Sequence, residues 1–143
     1  MSQENVENAR RGYEALNEAY RAGDINVFRP TAEELWDPDV ELVTAGVLPD
    51  SDTTAHGLDA VFRFMGRQMQ GFEERSMWME PLEFIDEGDY LIVPYRFGGR
   101  ARHTGIEVEF LFAHVFTIRG SKTVRVEAHP TKAQALEAVG LSE

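Results

Sequence analysis

The stretch from Glu107 to His129, EVEFLFAHVFTIRGSKTVRVEAH, limits most tightly how this chain can fold, because its alternation sorts side chains onto two faces of a long hairpin. Phe110, Phe112, His114, Phe116 and Ile118 share one face, and Glu109, Leu111, Ala113, Val115 and Thr117 share the other. Both rows are mostly apolar, so each has to be covered, one by the chain's own helices and the other by more sheet or a second subunit. Gly120 and Ser121 supply the turn, and the return strand alternates Val124, Val126 and Ala128 with Arg125, Glu127 and His129. His114 is a single ionisable ring in a row of four large apolar side chains.

The 143 residues suit one domain, 1–143, with a sizeable core but no separate cofactor domain. The net charge of -11, from 14 basic and 25 acidic residues, repels nucleic acid and anionic membranes. Cysteine is absent, which excludes disulfides, thiol nucleophiles and Cys-ligated metals. The opening MSQENVENARRGYE has no apolar signal region, and no run approaches the roughly 20 apolar residues of a membrane span, so a cytoplasmic location is expected.

Val6, Ala9, Tyr13, Leu16 and Tyr20 recur at steps of three and four, which predicts an amphipathic helix over about Gln3 to Arg21, closed by Gly23. Asp24 then caps a second helix reaching Trp36, with Pro30 restricting its first turn and Asp37-Pro38 stopping it. Val40, Leu42 and Thr44 form a short strand, followed by a loop from Gly46 to Thr53 whose composition suits a rim or lid. Leu58, Phe62, Met65 and Met69 mark a third helix over Gly57 to Gln70, widened by Val61 and Phe64; its interior Gly66 suggests close packing. Trp78 to Asp86 and Tyr90 to Gly99 read as strands joined at Glu87-Gly88-Asp89, with Pro81, Pro94 and Gly98-Gly99 as bends or edges. Thr131 and Gln134 form a capping pattern for a last helix closed by Gly140. This order gives an α+β fold, a strongly curved, mainly antiparallel sheet with helices on its concave side around a pocket.

The segments RGYEALNEAYRAGD, DPDVEL, AHGLDAVFRFM, FIDEGDYLIVPYRFGGRA and EVEFLFAHVFTIRGSKTVRVE, followed by KAQALEAVGL, resemble in this order the SnoaL-like branch of the nuclear transport factor 2-like (NTF2-like) superfamily, over nearly the whole chain. The resemblance implies a cone-shaped α+β barrel, often dimeric, shared by ketosteroid isomerases, polyketide cyclases, limonene epoxide hydrolases and pocket proteins. The isomerases use a tyrosine on the first helix, an aspartate ending the first strand and a protonated aspartate on a late strand. Ungapped matching puts those places near Leu16, Thr44 and His114, so two of the three are lost. The epoxide hydrolase set falls on Arg96, Gly98 and Ala128, where only the arginine remains, and the cyclases' acid/base aspartate has no clear counterpart.

His114 is accordingly the first candidate, as a general base or as a donor to a ligand oxygen; its plainer role is a core histidine satisfied by a carbonyl or a tyrosine. Arg96, placed on the pocket face with Tyr90, Ile92 and Pro94, is a candidate oxyanion stabiliser, against a salt bridge at the pocket mouth. Trp36, Thr44, Phe64, Met65, Met69, Phe112, Phe116, Val126 and Ala128 complete the expected lining. His56, His103 and His129 show no metal-ligand spacing, and no phosphate loop or GxSxG elbow is present, so neither metal nor cofactor is expected. The leading expectation is a small, largely apolar ligand with one carbonyl or acidic end. Alternatives are an isomerase, cyclase or lyase working through His114 and Arg96, and a dimerisation or partner-binding module with a filled cavity. A homodimer is expected through Leu111, Ala113 and Val115, enlarged by Leu91, Val93 and Tyr95, unless the last helix folds over that surface. Burial, assisted by Arg96, is expected to lower the His114 pKa.

Overall fold

The structure, a computed structural model, describes residues 2–44, 47 and 53–141. Helix α1 spans Ser2–Ala22 and buries the stripe of Tyr13, Leu16 and Tyr20. Gly23, at φ 70, ends it in the left-handed region that glycine enters without a steric penalty. Asp24 caps the next turn by accepting from the Asn26 N–H at 3.0 Å. The second helix expected from Asp24 to Trp36 is instead a 3-10 turn, Ile25–Phe28, followed by α2, Arg29–Leu35. Pro30 sits in the first turn of α2, where a missing N–H costs nothing, and so sets the break. Trp36 already belongs to strand β1, Trp36–Thr44.

Strand β2, Thr53–His56, pairs antiparallel with β1, Glu41 opposite His56, and was not foreseen. The loop expected as a rim or lid lies, apart from Val47 and Thr53, outside the described residues. Helix α3 covers Leu58–Met69. A Cβ on its Gly66 would meet only Ile25 Cγ2, at 3.8 Å, an ordinary contact, so the close packing inferred there is not what holds the glycine.

The remaining strands are β3, Trp78–Pro81; β4, Ile85–Glu87; β5, Tyr90–Arg100; β6, Glu107–Arg119; and β7, Lys122–His129. The chain closes with α4, Lys132–Ala138, capped by Thr131 Oγ1, which accepts from the Gln134 N–H at 3.0 Å. The expected strand from Trp78 to Asp86 is broken in two, and Leu82 N–H, in the gap, donates to the Pro94 carbonyl at 2.8 Å. Pro81 and Pro94 flank that break, as residues that cannot donate to a ladder. At Gly98 a Cβ would lie 2.6 Å from the Trp78 ring, so only glycine lets the indole lie against β5.

The sheet is curved and open, in the order β2-β1-β7-β6-β5-β3, with β4 also on β5. It is mixed, because β1 runs parallel to β7 while every other pair is antiparallel. Val93 stands opposite His114, Tyr95 opposite Phe112 and Leu91 opposite Phe116. Leu91, Val93, Tyr95 and Phe97 therefore share the concave face with the His114 row, and Ile92, Pro94 and Arg96 face the other way, a reversal of the expectation. Alternation fixes which residues of one strand share a face, but the register between strands decides which faces coincide. Here the connection after β5 sets it, through Ala101 N–H to the Ile106 carbonyl at 2.9 Å and Gly105 N–H to the Ala101 carbonyl at 2.8 Å.

The reversal also changes which apolar residues lie on the convex face. Leu91, Val93 and Tyr95 are not on the convex face, and Ala113 and Val115, with Ile92, are sealed by Ala135 and Leu136 of α4. Only Leu111 of the expected patch stays open, at 63% exposure. The chain's own last helix thus occupies the surface on which the homodimer rested. Helices α1, α2 and α3 pack on the concave side.

Candidate functional site

A cavity lies between the concave sheet and the inner sides of α1 and α3. About 120 Å³ of it is open to the centres of water-sized molecules, well beyond the ~10–15 Å³ that one water needs. Its walls include Trp36, Thr44, Phe64, Met65, Phe112, His114, Phe116, Val126 and Ala128 from the expected set. No aspartate, glutamate, lysine or arginine occurs among the described lining residues, although 27% of the chain is charged. The polar atoms come from neutral side chains, chiefly Asn5 and Asn8 of α1, Gln68 of α3, Thr44, three tyrosines and His114.

His114 Nδ1 lies 2.7 Å from the Tyr13 hydroxyl. The ring stacks on Tyr95, with centroids 4.0 Å apart and planes 17° apart, and meets Phe116 edge-on at 5.5 Å. Burial among these rings drives the pKa of His114 down to about 3, and His129, a second histidine close by, adds to the fall. Arg96 is not a cause. Burial, and after it Tyr95, holds the Tyr13 pKa well above the usual phenol value. The pair is therefore a neutral imidazole and a neutral phenol, and its proton can sit in two ways. If Tyr13 donates to Nδ1, Nε2 carries the hydrogen and is a donor. If Nδ1 carries it and donates to the phenol oxygen, Nε2 is an acceptor.

Arg96 is outside the site. Its Nε and Nη2 donate to Glu80 Oε1 at 2.9 and 2.6 Å, and Nη1 lies 3.3 Å from Glu109 Oε1. Arg96 stands opposite Leu111 on the outward face, with its side chain 48% exposed. Met69 also departs from expectation: the last residue of α3, it lines a separate polar cleft with Tyr20, Glu73, Arg75 and Arg102. Among the described residues no three His, Cys, Asp or Glu side chains converge so as to hold a metal ion, and no helix is long and apolar enough to cross a membrane.

Tyr13, Tyr20 and Tyr95 were not foreseen as site residues. Tyr13 and Tyr20 were legible as members of the α1 stripe, two turns apart, and an aromatic with a polar tip on a buried stripe is a signal in itself. Tyr95 was hidden by the reversed face of β5.

The SnoaL-like domain model matches residues 10–126. The chain belongs to the SnoaL-like domain family. Solved structures similar to this SnoaL-like chain include Bal32a from a soil-derived mobile gene cassette, with 22% identity, a TM-score of 0.73, and 90% of this chain and 89% of that one covered. An NTF2-like protein of Burkholderia pseudomallei is 24% identical, with a TM-score of 0.72 and coverage of 96% and 98%. TerC, co-crystallised with polyporic acid, is 23% identical, with a TM-score of 0.66 and coverage of 94% and 96%. Such identities show the fold and nothing narrower. No curated protein matches the chain. Within the SnoaL-like scaffold, ungapped matching put the isomerases' helical tyrosine near Leu16, but the tyrosine that reaches His114 is Tyr13, nearly one turn earlier.

Proposed function

We propose that this SnoaL-like chain binds a small, uncharged, largely apolar molecule and holds a carbonyl or hydroxyl oxygen of it at His114. The observation that carries this reading is a cavity walled by aromatic and aliphatic side chains, without a charged one among the described residues, around the Tyr13–His114 pair. An acidic ligand is disfavoured. A carboxylate would need a cation, His114 is neutral at physiological pH, and the net charge of -11 repels anions. Proton transfer through His114 and Arg96 loses its electrophile, because Arg96 is held outside by Glu80 and Glu109. A ring with a pKa near 3 is also a poor general base, since such a group works best with a pKa near the operating pH. TerC was crystallised with an organic molecule, which agrees with a ligand role for this scaffold.

Thermal shift with 2-acetonaphthone and with 2-naphthoate tests the reading. The ketone is expected to raise the melting temperature and the carboxylate to leave it unchanged. Stabilisation by the carboxylate alone, or by no neutral steroid, terpene, polyketide or aromatic ketone in a folded sample, overturns it.

A further inference from the structure

Two further phenols line the same cavity. Tyr95 and Tyr20 are each only 3% exposed, and among the described residues neither hydroxyl has a hydrogen-bond partner. Neither oxygen is sealed away: among the described residues, the one fully buried side-chain oxygen or nitrogen without a partner is Asp86 Oδ2, so both phenol oxygens keep contact with open space. A hydroxyl that touches open space and has no protein partner is free to donate to a bound acceptor. Burial, and after it the next phenol in the row, keeps Tyr13 and Tyr95 in the O–H form. Tyr95 stacks on His114 and so belongs to that end of the cavity, while Tyr20 lies farther along α1. Tyr13 and Tyr20 are two turns apart, about 10 Å of helix rise. Between the two ends the wall is apolar, with Leu16, Phe97 and Phe112.

We infer that the cavity reads two oxygens of one elongated, uncharged ligand, the first at Tyr13 and His114, on which Tyr95 is stacked, and the second at the hydroxyl of Tyr20. This rests on the binding function proposed above and adds the ligand class, a molecule oxygenated at both ends of an apolar body. Tyr20 also borders the polar cleft that holds Met69, so the second station lies at the inner limit of the cavity.

Isothermal titration of the full chain with 4-phenylphenol and 4,4′-dihydroxybiphenyl separates the two claims. The dihydroxy probe is expected to bind about fivefold or more tightly, beyond the factor of about two that its equivalent ends give by statistics. Tyr20→Phe should reduce that preference toward the statistical factor. If the unaltered chain binds the two probes within the statistical factor, the second station is overturned and the binding function stands. A preference that survives this substitution also overturns it, because another group then holds the second oxygen. If neither probe binds, the second station falls, and the thermal-shift panel alone decides the binding function. The ratio measured in the unaltered chain decides even if a variant does not fold.

Discussion

The Tyr13 hydroxyl and His114 Nδ1, 101 residues apart in the chain, meet at 2.7 Å inside the cavity and tie α1 to the middle of β6. Each is the other's hydrogen-bond partner in an aromatic environment, so removing one leaves a desolvated polar atom behind. Tyr13→Phe is expected to destabilise the fold by about 1–3 kcal/mol in urea unfolding. In a double-mutant cycle with His114→Phe, the two losses should fall short of additive by about 1 kcal/mol. Strict additivity would mean that the contact carries no energy.

Arg96 makes two ion pairs, yet both lie on the exposed face, where such pairs are weak. Arg96→Ala is expected to change stability by less than about 1 kcal/mol and to leave the affinity for 4-phenylphenol unchanged. Weaker probe binding in that variant would return the arginine to the site.

Leu136, 5% exposed, is the largest of the α4 side chains buried on the convex sheet, over Ile92, Ala113 and Val115. Leu136→Ala should cost about 2–5 kcal/mol, the range for a large-to-small change in a core. A loss below 1 kcal/mol, measured by thermal and chemical unfolding, would show that α4 is not what seals this face.

The sequence made α1, α3 and the β6–β7 hairpin plain, because each carries an unbroken period and a turn or cap residue at its end. His114 stood out for the same reason, as the exception in a regular row. Arg96 and Tyr95 were misassigned because β5 is apolar on both faces: with Leu91, Val93 and Tyr95 on one side and Ile92 and Pro94 on the other, composition does not distinguish them. Only the register across residues 101–106 does, and that depends on backbone hydrogen bonds between residues with no periodic signal. β2 was missed for a related reason, since four residues following a turn-rich loop are too short to show alternation. The Tyr13 contact joins elements a hundred residues apart, and no local pattern in either one names its partner.

The charge state of His114 makes the stability of the fold depend on pH. Tyr13 faces it from α1, Tyr95 from β5 and Phe116 from β6 itself, with His129 on β7 nearby. None of them is an anion, so nothing compensates an imidazolium there, and the folded pKa of about 3 lies below the unfolded value of about 6.5. The unfolded chain therefore takes up the proton first as pH falls. This group costs nothing above about pH 7 and progressively destabilises the folded state between about 6.5 and 3, by roughly 2 kcal/mol at pH 5. His114→Gln, which keeps a polar group near Tyr13 but cannot titrate, should flatten the stability profile over that window relative to the unaltered chain. NMR titration of the ring should find no protonation down to pH 5. A His114 pKa above 7 would require a carboxylate against the ring, and would remove the basis for an uncharged ligand.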